Sequence, residues 1–274
     1  MKCKSMSPEV AIIPVPYEQT TSYGKGAKYG PAAVIAALKH VEDYDIEEDK
    51  VVDRASIKIL PALKNINTYQ KLYEEVGKIT NKVLNSRSLP IYLGGEHTIT
   101  ASIVSALRKK FVDFTILHFD AHSDLRDTYG GVKYSHACVM RRIFEMGLAV
   151  VSIGVRSQCL EERKFIKKEG INIFYAHDIL KSKDWMDSAI NLLQDKVYLT
   201  FDVDVMDPSC VKATGTPEPG GLDWQLVVDF FRTLAKRKKQ IIGMDVVELA
   251  PIKGDYTSDF LCAKLLYKIL AFFL

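Results

Sequence analysis

Short apolar runs of β-type residues alternate along the chain with longer helical patterns, and this alternation constrains the fold more than any other feature. Strands separated by helices are typical of βαβ units, in which successive strands run parallel and helices cover the sheet. The sequence therefore predicts an α/β fold with a mostly parallel sheet. The predicted strands are Val10–Ile13, Leu89–Leu93, Phe114–Phe119, Ala149–Ile153, Ile171–Phe174, Val197–Phe201 and Ile241–Val246.

Helices are predicted between these strands. Gly30 and Pro31 open one helix at Ala32, because proline is favoured in a first helical turn, and apolar spacing predicts two more over Thr68–Leu84 and Ser102–Lys110. The basic cluster Lys236–Lys239 is interpreted as a solvated helix end before a strand. The apolar stretch Leu265–Leu274 is well below the roughly 18 residues of a membrane span, so we expect a helix docked on the body.

Composition and charge exclude several classes of protein. The 274 residues are 47% hydrophobic, enough for a sizeable core, and we expect one domain over residues 1–274. The net charge of +3 is small and dispersed, so we expect neither a nucleic-acid nor a membrane partner. The five cysteines, Cys3, Cys138, Cys159, Cys210 and Cys262, form no C-x-x-C pair. They predict free thiols in a reducing, cytoplasmic compartment.

Residues of metal-ligand type follow four of the predicted strands directly. Gly-Gly-Glu-His stands at 94–97, Asp-Ala-His-Ser-Asp at 120–124, Asp-Val-Asp at 202–204, and Glu248 follows the last strand. In open α/β sheets, ligands bind outside the carboxyl ends of the strands. We therefore expect these side chains to meet at one edge of the sheet.

Two of these segments have an alternating pattern that predicts a metal centre. Asp120, His122 and Asp124 would project from one face of an extended strand end, and Asp202 and Asp204 repeat the spacing. So many carboxylates in a low-dielectric cleft require cations, and four of them balance two divalent ions. Carboxylates mixed with imidazoles suit a hard or borderline ion such as manganese. The predicted ligands are His97, Asp120, His122, Asp124, Asp202 and Asp204.

The remaining histidines differ in their expected roles. His118 shares the strand face of Asp120 but precedes it, so we interpret it as a buried histidine with satisfied hydrogen bonds. His40 and His177 lie next to helix ends with no acidic constellation around them, and we expect structural roles for both. His136 lies in the long loop after Asp124, where a proton-transfer group could reach the metal site.

These segments, with others in the same order, closely resemble the motifs of the ureohydrolase family of arginases and agmatinases. The further matches are Ser-His at 135–136, Asp-Pro at 207–208, Gly-Thr-Pro at 215–217, Gly-Gly-Leu at 220–222 and Asp-Val-Val-Glu at 245–248. Together they span most of the chain. The resemblance implies a three-layer α/β/α sandwich with a dinuclear manganese centre and a homo-oligomeric assembly, either trimer or hexamer.

The resemblance also implies a role for each site residue. His97, Asp120, Asp124 and Asp202 resemble the ligands of one metal ion; Asp120, His122, Asp202 and Asp204 resemble those of the other. Glu248 corresponds to the carboxylate that binds the substrate guanidinium, and His136 to the proton shuttle, so both are expected to be catalytic and to contact substrate. Glu96 is a departure, because the family usually has aspartate before this histidine.

The implied reaction is hydrolysis of a small guanidino substrate to urea and an amine. Arginases carry asparagine two residues after the third motif aspartate, whereas this chain has Arg126. The loop that ends in Tyr134-Ser135-His136 is more similar to agmatinases, so agmatine, cleaved to putrescine in polyamine biosynthesis, is the first choice. Arginine and guanidinobutyrate remain alternatives, because Arg126 could bind a carboxylate. Arg126 could instead pair with Asp127 or another local acid and never touch substrate.

Two other classes of function would also use a metal centre of this kind. A dinuclear phosphoesterase is disfavoured because the sequence has no G-D-x-H or G-N-H pattern. A metal-binding protein without catalysis is disfavoured because the ligand, shuttle and guanidinium positions are all filled.

Overall fold

The computed structural model describes residues 10–182 and 184–274. The strands of this part are β1 Val10–Val15, β2 Tyr44–Asp45, β3 Lys50–Val51, β4 Ile57–Ile59, β5 Leu89–Gly94, β6 Thr115–Phe119, β7 Val150–Val155, β8 Asn172–Tyr175, β9 Lys196–Asp202 and β10 Gln240–Val247. Its helices are α1 Gly30–Leu38, α2 Tyr69–Asn85, α3 Ile99–Leu107, α4 Val139–Glu145, α5 Leu160–Glu169, α6 Ala176–Ile179, α7 Trp185–Asn191, α8 Trp224–Lys236 and α9 Thr257–Phe273.

Eight strands form one sheet in the order β4-β1-β5-β10-β9-β6-β7-β8, and every neighbouring pair is parallel. The prediction of a parallel α/β sheet is therefore confirmed. The four strands before the predicted ligands, β5, β10, β9 and β6, are adjacent at the centre, so their carboxyl ends open onto the same edge. Strands β2 and β3 form a separate antiparallel hairpin.

Helices cover both faces of the sheet, which confirms the three-layer α/β/α sandwich. Apolar residues of α1, α7, α8 and α9 pack on one face, and those of α2, α3, α4 and α5 pack on the other. Phe119 and Phe201, on the neighbouring strands β6 and β9, stack with ring centroids 5.4 Å apart. The strands that position the candidate site are thus held in the most deeply buried part of the protein.

Helix boundaries follow local capping where a cap exists. The Thr68 hydroxyl accepts the Lys71 N–H at 3.3 Å and starts α2. Helix α8 ends at Lys236, as the basic cluster predicted. The prediction that the third helix begins at Ser102 was wrong, because α3 begins at Ile99, directly after the Gly-Gly-Glu-His segment. Every residue of α3 except Ser105 is buried, so no polar face marks where the helix begins.

The C-terminal helix docks on the body as expected but is longer than predicted, since α9 begins at Thr257. Lys268 on this helix is buried and pairs with Asp45 and Glu47 of the β2–β3 hairpin, each at 2.8 Å. Residues 10–182 and 184–274 contain no helix that is long and apolar enough to cross a membrane. Cys138, Cys159, Cys210 and Cys262 are free thiols, and Cys3 lies outside the described residues.

Candidate functional site

The predicted site residues meet at the carboxyl edge of the four central strands. His97 follows β5, Asp120 follows β6, Asp202 ends β9 and Glu248 follows β10. His136 begins a short 3-10 turn over His136–Cys138. All of the predicted site residues line one pocket except Asp120, which is buried.

Three carboxylates converge on the imidazole of His97. Its Nδ1 lies 3.1 Å from Asp120 Oδ2, 3.2 Å from Asp124 Oδ2 and 3.4 Å from Asp202 Oδ2. This nitrogen is fully buried yet has no hydrogen-bond partner. Adjacent ligands of an octahedral ion with bonds of about 2.1 Å are separated by about 3.0 Å. The spacing and the unpartnered nitrogen therefore fit a divalent cation.

The protonation of His97 is set by a chain of buried side chains behind it. Thr200 Oγ1 donates to Asp245 Oδ1 at 2.6 Å, so its lone pair accepts the hydrogen of His97 Nε2 at 2.8 Å. Asp245 is fully buried and also accepts from the Tyr198 hydroxyl at 2.6 Å. A neutral histidine that donates from one ring nitrogen presents a lone pair at the other, which is the form in which histidine binds a metal ion.

A second group forms around His122. Its Nδ1 lies 3.0 Å from Asp204 Oδ2 and 3.4 Å from Asp120 Oδ1. Asp120 therefore presents one oxygen to each group, the arrangement of a carboxylate that bridges two cations. Asp202 and Asp204 each use their other oxygen to accept a backbone N–H, that of Asp204 at 2.9 Å and of Ala121 at 3.0 Å.

The backbone achieves this convergence differently from the sequence prediction. An extended strand end was expected, but β6 stops at Phe119, and Asp124 adopts a left-handed φ of 53°. Asp204 lies in a 3-10 turn over Val203–Val205. The side chains meet because the chain turns at these points, and a strained φ for a residue other than glycine is typical of functional sites.

Electrostatics support cations at this position. Burial and the Asp120 carboxylate raise the pKa of Asp124 to about 7, and burial with the carboxylates of Asp204 and Asp120 raises the pKa of Asp202 well above its ordinary value. Carboxylates this close cannot all remain charged without positive charge between them. Divalent cations would supply that charge.

Glu248 connects the pocket to the His97 segment. Its Oε1 accepts the His97 N–H at 2.6 Å, and its own N–H donates to Gly95 O at 2.8 Å. Glu248 has a left-handed φ of 65°. Burial and the Glu96 carboxylate raise its pKa well above the ordinary value. A guanidinium would be a favourable partner, because it donates planar, charge-assisted hydrogen bonds to a carboxylate.

His136 lies across the pocket and has an aromatic neighbour. The Tyr129 ring packs edge-on against the imidazole with centroids 5.5 Å apart. Burial lowers the pKa of His136, which favours the neutral form. The structure therefore places this histidine beside the candidate metal ligands, in the same pocket as Glu248.

His118 is buried in the sheet as expected. Its Nδ1 lies 2.9 Å from Ser152 Oγ and its Nε2 lies 2.9 Å from Asp120 Oδ2. Both ring nitrogens have partners, which supports a role in orienting Asp120.

Arg126 has local partners, but the adjacent Asp127 is not one of them. Its guanidinium packs over the Tyr129 ring at 5.4 Å, and its Nε lies 3.9 Å from Glu162 Oε2. Asp127 pairs instead with Arg142 at 2.7 Å. Arg126 nevertheless lines the pocket.

Sequence reasoning missed residues that shape the site from behind. The guanidinium of Arg156, just after β7, donates to the carbonyls of Asp204 at 2.7 Å and Glu218 at 2.8 Å. It thereby holds the turn of Asp204 against the loop at 215–221. Tyr23 and Tyr129 line the pocket. No ligand-type motif surrounds these residues, so only the fold reveals them.

The chain matches the arginase family over residues 8–271. It is 38% identical to the N(1)-aminopropylagmatine ureohydrolase of Synechocystis, covering 96% of this chain and 88% of that protein. It is 38% identical to the agmatinase of Pyrococcus horikoshii, covering 94% of this chain and 90% of that protein. The crystal structure of the agmatine ureohydrolase of Thermoplasma volcanium aligns with a TM-score of 0.87 at 31% identity, covering 97% and 89%. The chain therefore belongs to the arginase family of ureohydrolases.

Proposed function

We propose that this protein is a dinuclear manganese hydrolase that cleaves agmatine to putrescine and urea. The observation that carries this proposal is the arrangement of one pocket. Two groups of carboxylates and an imidazole share the buried Asp120 beneath it, and Glu248 and His136 line the same pocket. Agmatinase and aminopropylagmatine ureohydrolase relatives support a guanidino C–N bond as the bond that is cut.

The two cations would be held by the two groups. By the family's motifs, His97, Asp120, Asp124 and Asp202 would hold one ion, and Asp120, His122, Asp202 and Asp204 would hold the other. Four carboxylates balance the charge of two divalent cations, and the oxygen-rich donor set with one imidazole for each ion favours manganese over a thiolate-preferring metal. When bound, such ions make water nucleophilic at neutral pH and stabilise developing negative charge.

The chain's own residues would orient the substrate and supply the proton. The free oxygen of Glu248 would pair with the guanidinium, since its other oxygen holds the His97 N–H. Water oxygen bonds to the guanidinium carbon, and the bond from that carbon to the alkyl nitrogen breaks. His136 Nε2 would take one proton from the attacking water and pass it to the departing nitrogen. The second water proton is lost as the C=O bond of urea forms and ends on the amine, so guanidinium and water give urea and an alkylammonium.

Agmatine is favoured over a guanidino acid by the partners of Arg126. It is the one lysine or arginine among the described residues that line the pocket. Its Nε lies 3.9 Å from Glu162 and its guanidinium packs over the Tyr129 ring, so these local partners compete with a substrate carboxylate. A cytoplasmic location and a homo-oligomeric assembly remain predictions from the sequence.

Urea release from manganese-loaded protein tests the proposal. The panel is agmatine, N(1)-aminopropylagmatine, arginine and guanidinobutyrate, compared by kcat/KM. We expect the highest value with agmatine. A higher value with aminopropylagmatine would move the assignment to the activity named for the Synechocystis relative. Urea from none of the four would refute the proposed reaction.

A further inference from the structure

Glu96, which departs from the usual aspartate, is fully buried beside the pocket. Its Oε2 accepts the backbone N–H groups of Gln19 at 2.6 Å and Thr20 at 2.7 Å. Its Oε1 accepts the hydroxyls of Thr20 at 2.6 Å and Thr98 at 2.5 Å. The carboxylate thus ties the loop at 19–20 to the segment that contains the metal-ligand candidate His97.

The Thr20 hydroxyl has a single hydrogen, and its partners decide where that hydrogen lies. The shortest contact is to the Glu96 carboxylate, which only accepts, so the hydroxyl donates there. Thr20 Oγ1 is then an acceptor for its other neighbours. These are the ring Nδ1 of His136 at 3.2 Å, the backbone N–H of His136 at 3.3 Å and the Thr98 hydroxyl at 3.4 Å, whose own hydrogen goes to Glu96.

This arrangement fixes the tautomer of His136. When Thr20 accepts from Nδ1, that nitrogen carries the hydrogen, and the lone pair of the neutral imidazole lies on Nε2. The backbone contact and the Tyr129 ring restrain the same histidine from two further directions. A histidine held in the wrong tautomer cannot exchange a proton at the atom that faces the reaction.

We propose that Thr20 and Glu96 are positioning residues that hold His136 in the Nδ1–H tautomer, with the Nε2 lone pair free to take a proton from water and pass it to the departing amine. The catalytic part of this inference rests on the proposed function. Neither residue lines the pocket. Both act through His136, much as a buried carboxylate orients the histidine of a hydrolase triad, but with a hydroxyl between them.

Thr20→Val tests the relay with little disturbance, because valine keeps the shape and the backbone N–H bonds to Glu96 Oε2 remain. We expect kcat for urea release to fall about 10- to 100-fold, with KM within about threefold and bound metal unchanged by elemental analysis. Thr20→Ser, which restores the hydroxyl, should recover most of the rate. Thr98→Val is the matched variant, since it removes the other hydroxyl bond to the same Glu96 oxygen without touching His136. The fold-loss of kcat in Thr98→Val should be about tenfold smaller than that in Thr20→Val.

Nitrogen-15 NMR of histidine-labelled, zinc-loaded protein reports the tautomer of His136 independently of any activity assay. The signal of His136 is assigned as the one that disappears in His136→Asn. We expect hydrogen on Nδ1 in the parent protein and a shift toward Nε2 in Thr20→Val. An unchanged tautomer in Thr20→Val, or equal losses of kcat in Thr20→Val and Thr98→Val, would overturn the inference. If the parent protein releases no urea from any guanidino substrate, the proposed function fails, while the NMR result still decides whether Thr20 positions His136.

Discussion

Glu248→Gln removes the negative charge of the proposed guanidinium site and little else. Glutamine can keep the acceptor that holds the His97 N–H at 2.6 Å, and neither residue is glycine, so the cost of the left-handed φ of 65° is unchanged. The lost interaction is the charge-assisted pairing at the second oxygen. Hydrogen bonds to charged groups contribute about 1.5–3 kcal/mol each. A loss of about 3 kcal/mol corresponds to roughly a hundredfold in kcat/KM.

The assay is urea release from agmatine, with elemental analysis of bound manganese and a melting curve for each variant. Glu161→Gln is a matched control, because Glu161 is exposed in the first turn of α5, outside the pocket. We expect Glu161→Gln to keep the parent kcat/KM. A Glu248→Gln variant that keeps its fold, two metal ions and near-parental kcat/KM would show that another group binds the guanidinium.

Three further predictions concern the metal site and the stability of the fold. Asp120→Asn and Asp202→Asn should each abolish urea release and lower metal content in elemental analysis, since each removes a negative bridging ligand; two metals per chain with ordinary turnover would contradict this. Chelation should inactivate the protein and lower its Tm, and manganese should restore both, because ligand binding to the folded state stabilises it; an unchanged Tm would argue against the site. Lys268→Met should cost about 3 kcal/mol in denaturant unfolding at pH 7. Burial alone would raise the pKa of Asp45, but Lys268 holds it below its ordinary value. The loss of unfolding free energy in Lys268→Met should therefore shrink as pH falls through that lowered pKa. A loss that stays constant down to pH 2 would refute this.

The sequence predicted the layered fold because buried parallel strands leave a strong apolar signal. The seven predicted strands correspond to β1 and to β5 through β10. The hairpin β2–β3 and the edge strand β4 were missed, since they have only two or three residues each and are largely exposed or half-buried. Strands that short bury too little apolar surface to leave a periodic pattern.

The candidate site was predictable where its residues follow strands and unpredictable where loops bring them together. The carboxylates at 120–124 and 202–204 stand directly after apolar runs, so sheet topology alone brings them to one edge. Thr20 and His136 are separated by 116 residues and meet at 3.2 Å, and no local pattern encodes that contact. The same holds for Arg156, because it bonds to backbone carbonyls, which every residue type has and which no sequence motif marks.

The strand order also has a consequence for how the protein acquires metal while it folds. The proposed metal ligands lie in three separate segments, residues 97, 120–124 and 202–204, which follow the central strands β5, β6 and β9. The strand pairings that bring these residues together close long loops. Such pairings form slowly in proteins dominated by non-local contacts. Metal cannot hold these three segments together before the strands pair, because only the ligands within 120–124 and within 202–204 are already neighbours in the chain. Uptake of manganese during refolding should lag behind helix formation and report the moment when the central sheet is complete.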